Sequence, residues 1–297
     1  MRLKGKISVN SRTREELKQQ KRIFEIMGFN YIDFNDKRLI NYVAKSLKNV
    51  ETGAYVCMGT VSYETALAGG LENLKVLGME PYYKTSRFIS TIPLIPVHPL
   101  SNGFACHVTY SVDDETYEVD KSSGTVNHYK IPKNPDIMAP LHMGHEHIHA
   151  LKETNYDEYI DGQVFGDVIP MLYEFIVADT YPELKREVYR FRLYSLKEDY
   201  KHYENAISQM KKSKTDKDLY KIIATRSGQY LNSYYYATLL FNMYKCDSKK
   251  ILELVNKVLN HEMTTRDMLQ LLGIFRQDKN STFDTMFEEV KRCVKKV

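Results

Sequence analysis

"GHEHIHALKET" occupies residues 144–154, and the reading of this stretch decides how the rest of the chain is understood. His145, Glu146 and His149 form an HExxH pattern. On a helix, residues four apart share a face, so both imidazoles reach one metal ion. Zinc suits such ligands, and a catalytic zinc takes three protein ligands plus a water. Glu146 adjoins the first ligand, so its carboxylate reaches a metal-bound water without itself binding the metal. The helix is expected to be half buried. Pro140 suits a first turn, and Leu141, Met143, Ile148, Ala150 and Leu151 flank the polar positions. The competing interpretation is a polar helix with a buried ion pair and no metal.

Working outward, a third ligand is sought at a distance. Between His149 and Glu174 lie 24 residues, positions 150 to 173. Glu174 sits in "GDVIPMLYEFIVAD", an apolar stretch read as a helix with Asp167 as its cap and Pro170 in its first turn. A lone carboxylate among Leu172, Tyr173, Phe175, Ile176 and Val177 is costly to bury unless it binds something. Glu153, one turn beyond His149, competes for the same role. Asp179 offers a carboxylate that could orient a histidine ring. His142 and His147 lie off the ligand face and read as packing or orienting residues. His107 and His128 fall in expected strands and read as structural.

These residues resemble the gluzincin metallopeptidases. The similarity is to the thimet-oligopeptidase and oligoendopeptidase family, in a short form. It rests on HExxH followed by a glutamate in a helix like "IPMLYEF". The resemblance implies His145, His149 and Glu174 as zinc ligands and Glu146 as general base. A second segment, "GQYLNSYYYATLLFNMY" at 228–244, is similar to the Gly- and Tyr-rich segment that closes over substrate in that family. Tyr230, Tyr234 and Tyr235 match the tyrosines that donate hydrogen bonds to a substrate carbonyl, with the register left open. The same tyrosines also read as the apolar face of a helix. The strong part of the resemblance spans roughly residues 141 to 180, and the N-terminal half has no counterpart in it.

The bulk of the sequence agrees with an ordinary globular chain. Of 297 residues, 43% are hydrophobic and 27% charged. The net charge of +4 is too small to imply a nucleic-acid partner. Cys57, Cys106, Cys246 and Cys293 are widely spaced, with no CxxC pair, and read as the reduced thiols of a cytoplasmic protein. The N-terminus has no apolar signal segment. No run approaches roughly 18 apolar residues, so neither a membrane span nor a membrane partner is expected.

The coarse organisation follows from periodicity. Helices are predicted over 11–29, 35–50 and 62–79, although Gly69 and Gly70 weaken the third. "RFISTIPLIPV", "FACHVTYSV", "ETYEV" and "TVNHYKI" predict a small antiparallel sheet across residues 86–132. "FACHVTYSV" or "TVNHYKI" would offer an edge to an extended peptide. From residue 138 onward the chain reads as helical. A long helix over 182–212 carries Tyr189, Leu193, Leu196, Tyr200, Tyr203, Ile207 and Met210 at alternating steps of three and four. Shorter helices are expected around "KILELVNKVL", "TTRDMLQLLG" and "TFDTMFEEVKRCV".

The expected fold is α+β and zincin-like. A mixed N-terminal part with the small sheet, residues 1–135, precedes a mainly helical part, 136–297, that carries HExxH and the third ligand. The expected function is zinc-dependent hydrolysis of a peptide substrate, with Glu146 as general base and Zn2+ as the cofactor. The alternative is a zinc-binding but non-proteolytic protein of the same fold. The oligomeric state is not legible at this level.

Overall fold

The computed structural model describes residues 37–48, 50, 59–79, 89–94, 105–112, 119–132, 136–152, 165–276 and 280–295. The helix expected over 11–29 lies outside these residues, as do Glu153 and Cys57.

The chain divides into two compact units. One comprises residues 1–51 and 192–232, the other residues 52–191 and 233–297. The boundary expected near residue 135 therefore falls inside the second unit.

In the first unit, helix α1 (Lys37–Leu47) is amphipathic. Ile40, Val43, Ala44 and Leu47 follow helical spacing and are all buried. Lys197 donates to the Val50 carbonyl just past the end of α1. Elsewhere in this unit Ala206, Ile223 and Ala224 form a small apolar cluster, flanked by Tyr203, Ile207 and Tyr220.

In the second unit, helix α2 (Tyr63–Val76) is capped by Ser62, whose side chain accepts from the Thr65 N–H. Strands β1 (Ile89–Leu94), β2 (Ala105–Val112) and β3 (Val119–Pro132) follow. Next come α3 (Ala139–Lys152) and α4 (Val168–Thr180). Helices α5 (Lys185–Lys212) and α6 (Lys217–Cys246) contribute residues to both units. The chain ends with α7 (Ser248–Leu259), α8 (Thr265–Leu271) and α9 (Asn280–Lys295).

The α+β class expected from the sequence is corrected: the fold is mainly helical. The buried core side chains that are described belong to helices or to turns beside them. Backbone pairing joins the three strands in the order β1-β3-β2, with β1 parallel to β3 and β2 antiparallel to it. The ladder is thus not wholly antiparallel, and "TVNHYKI" lies in the centre strand with no free edge. Within the β-branched and aromatic runs, the extended backbone described is that of residues 89–94, 105–112 and 119–132. Strand propensity reports fit to a pleated surface, however, and does not say which layer builds the core.

Gly69 and Gly70, which argue against a helix on propensity, have a packing reason inside one. A Cβ on Gly70 would lie 2.8 Å from the Gly144 nitrogen and from Met143 Cβ, and one on Gly69 would lie 2.8 Å from Pro140 Cβ. The glycine pair lets α2 approach the backbone of α3, which carries HExxH.

Helix α4 is apolar all round, with every residue from Val168 to Ala178 buried. Phe175 on α4 meets Tyr189, Tyr234 and Phe241, with ring centroids 5.8, 5.6 and 5.3 Å away. Tyr234 in turn meets Phe283 and Phe287 of α9 edge-on. This aromatic cluster holds α4 in place. No helix among the described residues is long and apolar enough to cross a membrane.

Candidate metal centre

Helix α3 is almost entirely buried; only Pro140, Glu146 and His149 along it are half-exposed. Glu146 and His149 therefore mark its open side. Met138 N–H donates to Asp136 Oδ1 at 2.9 Å just before α3 begins, and Pro140 takes the first-turn position expected of it. Gly144 faces Tyr173 of α4: a Cβ at that position would lie 2.0 Å from the Tyr173 hydroxyl oxygen. The residue just before the first histidine must therefore be glycine for α3 and α4 to sit this close.

That close approach brings three ligand atoms together. His145 Nε2 lies 3.3 Å from His149 Nε2. Asp167 Oδ1 lies 3.3 Å from His145 Nε2 and 3.4 Å from His149 Nε2. Bonds of about 2.0–2.1 Å directed to the corners of a tetrahedron place neighbouring ligand atoms about 3.3–3.4 Å apart. The triangle is therefore the size of one face of a tetrahedral zinc site. His145, His149 and Asp167 form a group able to hold a metal ion.

Behind this face, His145 Nδ1 donates to Glu174 Oε1 at 2.8 Å. The bond fixes the ring so that Nε2 points at the triangle, the role a carboxylate commonly plays behind a metal-bound histidine. His145, Asp167 and Glu174 are 7%, 4% and 2% exposed, so these three groups are held out of bulk water, while His149 lies on the open side.

The electrostatics follow from that burial. Burial alone would lower the His145 pKa, but hydrogen bonds to Asp167 and Glu174 raise it further, so it sits above the ordinary imidazole value. The negative charges of Glu174 and Glu146 push the same way. Burial alone would raise the Asp167 carboxyl, but the hydrogen bonds and charges of His145 and His149 hold it far below the usual carboxylate range. A cation at the centre of the triangle would take over the role these protons play.

Of the residues singled out by sequence, the structure brings His145, Glu146, His149 and Glu174 together. Glu174, expected as the third ligand, lies on the Nδ1 side of His145 rather than at the triangle. Asp167, expected as a helix cap, makes no side-chain cap bond and occupies the third corner instead. A signal for it was present: Asp167 and Glu174 are seven residues apart, two turns of one helix face, so a helix that presents one to His145 presents both. Asp179 is exposed and pairs with Lys185 at 3.8 Å. His142 packs on Phe191, with centroids 4.3 Å apart, and His147 is fully buried.

Two of the three tyrosines pack among aromatic rings. The Tyr234 ring is buried in the aromatic cluster. Tyr235 stacks on Phe283 and donates its hydroxyl to Asn280 Oδ1 at 2.9 Å. Tyr230 is half-exposed.

Compared with family models, with curated proteins and with solved structures, the chain matches none.

Proposed function

We propose that this protein is a zinc-dependent metallopeptidase whose ion is held by His145, His149 and Asp167. The observation that carries the reading is the triangle of ligand atoms with sides of 3.3 to 3.4 Å. Three protein ligands leave a fourth position for water, the arrangement of a catalytic rather than a structural zinc. Zinc would lower the pKa of that water to about 7 and polarise the scissile carbonyl. Glu146, half-exposed and next to His145, is suited to take the proton from the water and pass it to the leaving amine. Glu174 would keep His145 in the ligating tautomer. Cys246 and Cys293 are free thiols, which fits a cytoplasmic site of action.

Metal content, measured by elemental mass spectrometry, and cleavage of an unstructured peptide library together test this reading. One zinc per wild-type chain, with chelator-sensitive cleavage that Glu146→Gln removes, supports it. A wild type that takes up no zinc when zinc is offered sinks it. A second reading, a zinc protein that binds without cleaving, is favoured by the packing of Tyr234 and Tyr235 among aromatic rings. It predicts bound zinc and no cleavage of any peptide in the library.

A further inference from the structure

Three helices of the second unit end in left-handed residues, and one of those residues breaks the pattern. Past α2 stands Gly78, with φ +69°, and past α8 stands Gly273, with φ +68°. Past α7 stands His261, with φ +60°, the sole non-glycine residue with positive φ among the described residues. The backbone bonds at that end are those of a Schellman turn: His261 N–H donates to the Val258 carbonyl and Glu262 N–H to the Lys257 carbonyl. Glycine is the usual occupant of this position because a Cβ is strained there. The chain follows that rule at α2 and α8 and departs from it at α7.

The departure coincides with a specific contact. His261 Nε2–H donates to the Leu151 carbonyl at 3.0 Å. Leu151 belongs to the last turn of α3, whose final carbonyls have no partner within the helix, and it lies two residues past His149. Asn256 of the same helix α7 donates to the Gly78 carbonyl at 3.1 Å, at the end of α2. Helix α7 thus ties down both helices whose close packing builds the ligand-bearing segment.

We infer that His261 is a positioning residue for the metal centre: its ring holds the last turn of α3 and so sets where His149 presents Nε2. The strain at its backbone is accepted because only a side chain can reach that carbonyl. This inference rests on the metal-site reading above.

The test uses the full chain as wild type, His261→Gly and His261→Asn. Both replacements accept a left-handed backbone, and neither reproduces the reach of the imidazole. Each metal-free protein is melted, then titrated with cobalt(II) while its d–d spectrum is followed. The expected result is a melting temperature in His261→Gly at or near that of wild type, together with about fivefold weaker cobalt binding, the fold-change of one net hydrogen bond. The d–d band should shift with the altered ligand geometry. Should the glycine variant fail to fold, His261→Asn carries the same expectation. Wild-type affinity and spectrum in the folded variants would overturn the positioning role and leave the metal site standing. A wild type that binds no cobalt would remove both.

Discussion

Glu174 grips His145 from behind: its Oε1 accepts from Nδ1 at 2.8 Å, and the Nε2 of the same ring is thereby left for the triangle with His149 and Asp167. Asp167, at the N-cap of α4, and Glu174 within it consequently have different jobs, and removing each should have a different effect.

Asp167→Ala should abolish stoichiometric zinc binding, because it removes one of three ligands. Glu174→Gln keeps the size of the side chain and an acceptor oxygen, and should retain the site with zinc affinity weakened about 10- to 100-fold. Competition against a chromophoric chelator measures both. Full zinc affinity in Asp167→Ala together with none in Glu174→Gln would reverse the assignment.

Glu146→Gln separates binding from chemistry. Glu146 contributes no atom to the triangle, so zinc content should stay at the wild-type level. Peptide cleavage should fall by about 10²- to 10⁴-fold, the usual worth of a positioned general base. Loss of zinc and activity together would mean that Glu146 is a ligand or a structural residue.

Gly144→Ala tests the contact between α3 and α4. Its new Cβ would stand 2.0 Å from the Tyr173 hydroxyl oxygen and 2.4 Å from the ring carbon that bears it. Helix propensity favours alanine over glycine, so the local effect and the packing effect have opposite signs. Packing should win, destabilising the metal-free protein by about 1–3 kcal/mol. Tyr173→Phe should return part of that loss in the double variant, since it removes the nearest clashing atom. A urea-denaturation cycle over the four proteins gives the coupling, and simple additivity would contradict the contact.

The protonation of the cluster gives a pH dependence with a definite sign. His145 is held above its ordinary value of 6.5, so its stabilising contribution is full below that pH and is lost as pH rises through the raised folded value. Asp167 is held below its ordinary value of 3.8, so its contribution is full above that pH and is lost as pH falls towards the depressed folded value. In the metal-free protein both contributions are therefore complete between about pH 4 and 6.5. Zinc needs His145 Nε2 free of its proton, so the extra stability zinc confers should grow as pH rises through neutrality. Thermal melts with and without zinc, stepped through pH 5 to 8.5, check this; a zinc increment independent of pH would contradict it.

Much of the site could be read along the chain because it depends on local periodicity. Spacing alone put His145 and His149 on one face of α3 and Glu146 beside the first of them, and a chain that makes this helix has no other choice. The burial of α4 was legible for the same reason, since no face of "VIPMLYEFIVA" is polar enough to leave in water apart from one glutamate. The stripe on α5 likewise places Tyr189, Leu193 and Leu196 in the core. The less buried end of that stripe, at Tyr203, Ile207 and Met210, shows where periodicity overstates burial.

Other features depended on distances that no local pattern contains. The class is mainly helical rather than α+β, and strand composition does not say how much of a fold the strands make up. Gly69 and Gly70 weaken α2 on propensity alone, and their packing reason lies in the backbone of α3 against them. The packing of Tyr234 on Phe175, and of Tyr235 on Phe283 with its hydroxyl donating to Asn280, likewise depends on residues far away in the chain.

By itself, then, the sequence determined which helix carries the two histidines and that α4 brings a carboxylate to them, since both follow from the 3.6-residue turn and the cost of burying charge alone. Only the tertiary structure decided which carboxylate meets which nitrogen. Asp167 and Glu174 share one face of α4, and the placement of that helix against Gly144 sets Asp167 at the Nε2 atoms and Glu174 at Nδ1. A choice between atoms a few ångströms apart is made by helix packing, which depends on residues far apart in the chain.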